Sequence, residues 1–179
     1  MRPGAPADAA EIVRIQAAAW RTAYGGLLPV ELLDALDGSG ATAEWSAAIE
    51  RPGAARSRVL VAEAGSSAVG FAAYNPAEDD DLDPRTDAEI AALTVAPEHR
   101  GQGHGSRLVN ATVDHLRQDG FGHAYAWLAA PGGRDDDLHR FLGGAGWAED
   151  GARRELDLRG DGAVVVTQVR LHAAIGEPA

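Results

Sequence analysis

The sequence predicts a mixed α/β domain on three observations: helical periodicity at the front, a hairpin in the middle, and strands alternating with helices afterwards. Asp8 to Trp20 reads as a helix capped by Asp8, with Ile12, Ile15, Ala19 and Trp20 near one face. Gly25-Gly26 ends it, and Pro29 suits the first turn of a short second helix carrying Leu32, Leu33 and Leu36. A third helix runs from Thr42 to Ile49 and stops before Pro52. Arg58–Glu63 and Ala68–Tyr74, joined by a turn at Gly65-Ser66, make a hairpin. Glu78 to Asp83 reads as an acidic, solvated loop. Ala88 to Val95 is a third strand closed by Pro97, a helix from Gly103 to Gln118 stops at Gly120, and His123 to Ala129 is a fourth strand. Asp135 to Leu142 is a short helix, and Arg154–Leu158 and Val164–Leu171 are the last strands. The strand–helix–strand around the 103–118 helix calls for one parallel crossover.

With 179 residues, 45% apolar and 24% charged, the chain is expected to form one globular domain over 1–179. No internal repeat or long linker divides it. The net charge is −11. Such a surface repels nucleic acid and anionic membrane, and it draws in cations such as amines. All sixteen basic residues are Arg, which with the excess of Ala and Gly reads as the codon usage of a GC-rich genome. The lack of Cys excludes disulfides, thiolate zinc sites and cysteine nucleophiles. The six His show no zinc-ligand spacing, so no metal is expected. No apolar run approaches the roughly 18 residues of a spanning helix. Asp8 and Glu11 occupy the region where a signal peptide would be apolar, so the cytoplasm is the expected location.

The most informative stretch is Leu93-Thr-Val-Ala-Pro-Glu-His-Arg100-Gly-Gln-Gly-His-Gly-Ser106. A strand stops at Pro97, and a turn with Gly101, Gly103 and Gly105 runs straight into a helix. The unpaired N–H groups of a helix start attract anions, and glycines let oxygens approach the backbone. Arg100 adds a forked positive charge. This chemistry suits a pyrophosphate. An ATPase phosphate loop needs Gly-Lys-Ser/Thr, and the chain has no Lys. A dinucleotide fingerprint needs a third Gly where Ser106 stands, and an acid where Ala129-Ala130 stand. Arg-x-x-Gly-x-Gly is satisfied by Arg100, Gly103 and Gly105, although alone it also suits a purely structural turn.

Three segments carry a resemblance to a known family: Ala88-Glu-Ile-Ala-Ala-Leu-Thr-Val95, Arg100-Gly-Gln-Gly-His-Gly105 and Phe141-Leu-Gly-Gly-Ala-Gly-Trp147. They resemble the central strand, the coenzyme A pyrophosphate loop and the helix-to-strand segment of the GNAT superfamily of N-acetyltransferases. Trp20-Arg-Thr-Ala-Tyr-Gly-Gly-Leu-Leu-Pro29 resembles the opening of one large bacterial branch. The resemblance implies a mixed, mostly antiparallel GNAT-type sheet with a parallel splay between the central strands, flanked by helices. It implies acetyl-CoA as cosubstrate, a small-molecule or protein amine as acceptor, and a homodimer as the assembly. Coenzyme contacts would come from Arg100, Gly101, Gln102, Gly103, His104, Gly105 and Ser106, and from the backbone near Leu93 and Val95. Asp135 stands where the family often has Asn near the coenzyme; it also suits the N-cap of the following helix. Only Met1 to Pro3 remain for the family's first strand, and Leu142 stands where the family often has a Tyr that protonates the leaving thiolate.

Acetyl transfer to an alkylamine, whose pKa is about 10.4, needs a group to take a proton. Glu89 matches the position of the general-base Glu in some members of the family. Regular alternation puts Glu89, Ala91, Leu93 and Val95 on one side, and an acid among apolar neighbours has a raised pKa. An exposed charge at the start of the strand is the other reading. His99 and His104 flank the glycine turn as surface residues, whereas His139, three residues before Leu142, falls on the same helix face and is the candidate to replace the missing Tyr. Trp20 and Tyr24 either line an amine site or pack. Without proton-transfer groups the chain would instead be a weak or inactive acyl-CoA-binding module.

Overall fold

A two-residue strand opens the computed structural model, which describes residues 1–24, 33–34, 38–131, 136–158, 160 and 162–176. This strand, β1 (Arg2–Pro3), pairs with Val61 and Leu60, and Arg2 anchors it by bonds to Asp8 and Glu63 at 2.7 and 2.8 Å. Asp8 Oδ2 accepts the Ala5 amide at 2.7 Å, so it caps the 3₁₀ turn at Pro6–Asp8 rather than the helix that follows. That helix, α1, spans Ala9–Tyr24, one turn longer than expected. Ile12 and Ile15 are fully buried against Val61 and Phe71 of the sheet. Helix α2, Ser39–Glu50, covers the same face. Its Trp45 meets the Phe71 ring edge-on at 5.2 Å and donates from Nε1 to Gln16 of α1 at 2.9 Å. The expected second helix at Pro29–Leu36 lies mostly outside the described residues, as does Asp135.

Strands β2 (Arg58–Ala64) and β3 (Ser67–Pro76) form the expected hairpin. The remaining elements are β4 (Asp87–Val95), α3 (His104–Gln118), β5 (His123–Ala129), α4 (Asp136–Gly144), β6 (Ala148–Asp157) and β7 (Val165–Ala174). One sheet of order β1-β2-β3-β4-β5-β7-β6 results, antiparallel except where α3 carries the chain across from β4 to β5. Helices α3 and α4 cover the face opposite α1. Val109 and Leu116 of α3 and Leu142 of α4 share a cluster with Tyr74, Ile90, Ala124 and Leu128.

Strand β4 is irregular. It pairs with β3 as Tyr74↔Ile90 but Ala73↔Ala92, so Ala91 is an extra residue, a β-bulge. Ile90 and Leu93 therefore pack on the α3 side although three positions apart, and Ala92 packs on the α1 side. The expectation that Glu89, Ala91, Leu93 and Val95 share one side fails for this reason. Glu89 faces the α1 side, while Leu93 and Val95 pack toward α3.

The acidic loop is exposed at Glu78, Asp80 and Asp81, as a solvated turn should be, but it is also tied to the sheet. Asp79 and Asp81 bond Arg170 of β7 at 3.0 and 2.5 Å, and Asp87 accepts the Asp83 amide at 2.9 Å.

Gly70 of β3 sits opposite Val95, the last residue of β4. A Cβ there would lie 2.8 Å from the Thr94 carbonyl oxygen and 3.3 Å from the Val95 Cα, both backbone atoms. Gly70→Ala is expected to destabilise the fold by about 1–3 kcal/mol, read as a lower urea midpoint.

Candidate active site

The ladder between β4 and β5 ends early. It runs Asp87↔His123, Ala88↔Ala124 and Glu89↔Tyr125, and no pairing follows although β4 continues to Val95 and β5 to Ala129. The strands part, and a cavity of about 1010 Å³ opens between them. Its walls are Ile90 to Val95 of β4, Ala126 to Leu128 of β5, Trp20 and Gln16 of α1, and the apolar side of α4. A cavity of this size accommodates a long cosubstrate arm.

Strand geometry gives β4 free hydrogen-bonding groups along this opening. Ala96 donates to Val69 of β3 at 2.9 Å. Backbone groups alternate along a strand, so those of Val95 and Leu93 point away from β3 and toward the cavity. The Val95 carbonyl accepts from Arg100 Nε at 3.4 Å on that side. The two backbone positions expected to hold a cosubstrate are thus the ones left without a strand partner.

At the cavity mouth, Gly101 and Gly103 have φ of 72° and 78°, left-handed values that suit glycine. Gly103 is the N-cap of α3, without a side-chain cap. No atom lies within 4 Å of where a Cβ would stand at either glycine, so the backbone is open to a ligand. Arg100, Gly101, Gly103, His104, Gly105 and Ser106 all border the cavity. Gln102 instead turns its Nε2 to the Glu98 carbonyl at 3.3 Å. His104 is not the surface residue expected: it is buried, with Nδ1 3.2 Å from Arg107 Nη2 and its ring edge-on to His99. Burial lowers its pKa, and Arg107 and His99 add to the effect, so the neutral ring is favoured. Arg107 also bonds the Gln102 carbonyl at 3.3 Å and brings a second cation to the turn. Sequence reasoning missed it, although four residues past Gly103 places it on the first helical turn.

Glu89 is the last paired residue before the strands part, and its chain neighbours Ile90 and Ala91 line the cavity. Its carboxyl is partly buried. Burial pushes its pKa above the usual carboxylate range; Arg154 opposes the rise, and Asp79 and Glu78 reinforce it. Register puts Tyr125, Trp127, Arg170 and Gln168 on the same face as Glu89. Trp127 and Gln168 line the cavity. Arg154 lies 4.3 Å over the Trp127 ring and donates to Gln168 Oε1 at 2.7 Å. These partners become visible only once strand register is known. Trp20 lines the cavity, the first of the two readings left open for it; the Tyr24 side chain lies outside the described residues.

Helix α4 presents Asp137, Leu138, Phe141 and Leu142 to the cavity. His139 is not brought there. It sits on the flank of α4, with Nε2 3.8 Å from Glu149 Oε1 of β6. The four-residue spacing of Leu138 and Leu142 selects the inward face, and a residue one step round from Leu138 turns off it.

The raised Glu89 carboxyl makes a stability prediction. Its pKa is higher folded than unfolded, so the ionised group disfavours the fold above the raised value, and this penalty disappears as pH falls below the ordinary range. Glu89→Gln is expected to raise Tm at neutral pH and to lose that advantage below about pH 4, in thermal melts recorded across pH.

Residues 17–143 match the acetyltransferase (GNAT) family. Over 122 residues the chain is 25% identical to the uncharacterised N-acetyltransferase YuaI of Bacillus subtilis (strain 168), a match spanning 68% of this chain and 66% of that relative. Its fold resembles that of YncA from Salmonella typhimurium, solved with its cofactor acetyl-CoA, at a TM-score of 0.73, 20% identity and 99% and 96% coverage of the two chains. It also resembles the PaiA N-acetyltransferase of Thermoplasma acidophilum, solved with coenzyme A, at a TM-score of 0.72, 15% identity and 97% and 96% coverage. The early end of the β4–β5 ladder, the glycine turn at the start of α3 and the match over 17–143 agree: this chain belongs to the acetyltransferase (GNAT) family.

Proposed function

We propose that the chain transfers the acetyl group of acetyl-CoA to a primary amine, carried by a small molecule or a protein, by direct attack with Glu89 as general base. The observation that carries this reading is a partly buried, pKa-raised carboxylate at the point where β4 and β5 part. In this reading the pyrophosphate rests on the open amides of the glycine turn beside Arg100. The pantetheine arm takes the place of a strand partner along Leu93 and Val95. Glu89, directly or through a water, accepts the proton of the attacking amine. A carboxyl with a raised pKa is better matched to that task than an ordinary one. Tight binding alone would not accelerate the step; the base does so because its role develops as the nitrogen gains positive charge. Leu142, apolar and buried in the cavity wall, favours a second reading, a weak or inactive acyl-CoA-binding module.

Two measurements test the proposal. Coenzyme A should raise the melting temperature, and Gly103→Asp should abolish the rise, because it sets a carboxylate and a strained left-handed residue against the pyrophosphate. Undiminished binding by that variant would remove the phosphate-loop assignment. In assays of thiol release over a broad amine panel, Glu89→Gln should lower kcat by about 10²–10⁴ at neutral pH and recover in part as pH rises. An unchanged rate would remove Glu89 as base, and binding without release for any amine would select the second reading.

A further inference from the structure

The acidic loop between β3 and β4 supplies no reacting group to the chemistry proposed above, although Asp79 and Glu78 add to the rise in the Glu89 pKa, and it is firmly held. Its carboxylates converge on Arg170 of β7, whose side chain is only 6% exposed. Arg170 Nη1 donates to Asp79 Oδ2 at 3.0 Å and to Asp81 Oδ1 at 2.8 Å. Nη2 reaches Asp81 Oδ2 at 2.5 Å, and Nε reaches Asp150 Oδ2 of β6 at 2.7 Å. Asp79 Oδ2 also accepts from Trp127 Nε1 at 3.0 Å. The guanidinium lies 5.3 Å from the Tyr125 ring and 5.6 Å from the Trp127 ring. One buried fork thus ties the loop, the start of β6 and an indole of the cavity wall together.

Stability alone is a poor account of this arrangement. Burying the Arg170 guanidinium costs desolvation that cancels much of its attraction to Asp79 and Asp150, and its bond to the mostly exposed Asp81 is screened by water. Three carboxylates on one cation also leave uncompensated negative charge. What the cluster does provide is direction. A planar guanidinium fixes two carboxylates at set angles, and one of them fixes the indole N–H. Arg154 covers the Trp127 ring at 4.3 Å, but the hydrogen bond to Asp79 is what sets the direction of the indole N–H at the edge of an open cavity, where the ring is only partly buried.

Taking the Glu89 side of the cavity as the amine side, as in the reading above, we propose that Arg170 is the positioning residue of the acceptor site. Through Asp79 and Asp81 it holds the 77–86 loop against β5 and fixes the Trp127 indole beside Glu89. Loss of the fork weakens acceptor recognition while coenzyme binding, served by the glycine turn at the far end of β4, stays intact.

The test uses the full chain labelled with 5-fluorotryptophan, whose four tryptophans give separate fluorine resonances, with Trp127 assigned by Trp127→Phe. Arg170→Met and Asp79→Ala should each move the Trp127 resonance and leave those of Trp45 and Trp147 in place. For the best amine of the panel, KM should rise by about tenfold or more in both variants, with the coenzyme A Kd within about twofold. For Arg170→Met kcat should stay within about twofold, whereas Asp79→Ala also removes a charge acting on Glu89 and is read on KM and the resonance alone. Arg170→Lys should fall between parent and Arg170→Met. A lower Tm with an unmoved resonance or an unmoved KM would make Arg170 merely structural and overturn the proposal. Should Arg170→Met fail to fold, Asp79→Ala, which keeps the buried cation paired to Asp81 and Asp150, decides the matter. If no amine is acetylated, the acetyl-transfer reading fails on its own. The resonance still decides whether Arg170 holds the indole.

Discussion

Everything at the site depends on the point where two parallel strands stop bonding. Parallel neighbours in a sheet normally exchange hydrogen bonds along their shared length, and breaking that ladder exposes backbone groups that must be satisfied elsewhere. Here the ladder stops at Glu89↔Tyr125, with six further residues of β4 and four of β5 still to run. The exposed edge of β4 then behaves as a template for an extended ligand. It is the same physics that lets a peptide add to a sheet edge, with a cosubstrate arm taking the strand's place.

The bulge at Ala91 makes the opening directional. It shifts alternation by one residue, so the carboxylate before it and the backbone template after it serve different sides of the sheet. Glu89 faces α1, Trp127 and the acidic loop. Leu93 and Val95 direct their side chains into the α3 core while their backbone groups line the cavity. Regular alternation through the same residues, with Ala91 paired in turn, would put Glu89 and Leu93 on one face, and the acid would point toward the apolar cluster around Leu108. With this sequence, the bulge is what keeps Glu89 out of the core while Leu93 and Val95 enter it.

The order of helices and strands was readable because it rests on local signals: apolar periodicity, Gly and Pro punctuation, and the crossover forced between β4 and β5. His123–Ala129 was placed to the residue. The glycine turn was readable because its chemistry is carried by consecutive residues. What was not readable depends on register and on contacts distant in sequence. A bulge leaves no mark on the sequence Ile90-Ala91-Ala92. His104 is buried because Arg107 and His99 close over it, and nothing in a polar loop announces that. Arg170 gathers Asp79, Asp81 and Asp150, which lie 91, 89 and 20 positions away. A run of acids reads as solvated until the cation that collects it is known. His139 was placed on the right helix but on its wrong side, since a short helix fixes its rotation by packing Leu138, Phe141 and Leu142.

Leu142 then bears on what the site requires of its leaving group. In the acyl-transfer reading the departing group is a thiolate, whose conjugate acid has a pKa near that of a free Cys, about 8.5. An alkoxide leaving group would need protonation to depart at neutral pH; a thiolate gains comparatively little from it. A Tyr hydroxyl at this position would also have to be desolvated against Val109, Leu128 and Trp147, the cluster in which Leu142 is buried. Leucine avoids that cost and seals the core beneath the cavity. The proton that must move for the reaction to proceed is the one on the amine, which would otherwise hold its lone pair at neutral pH. In the same reading that proton goes to Glu89, whose pKa burial raises and which lies on the face of the sheet that carries Trp127. In that reading proton removal from the amine, rather than proton donation to the thiolate, is the step the protein has to assist.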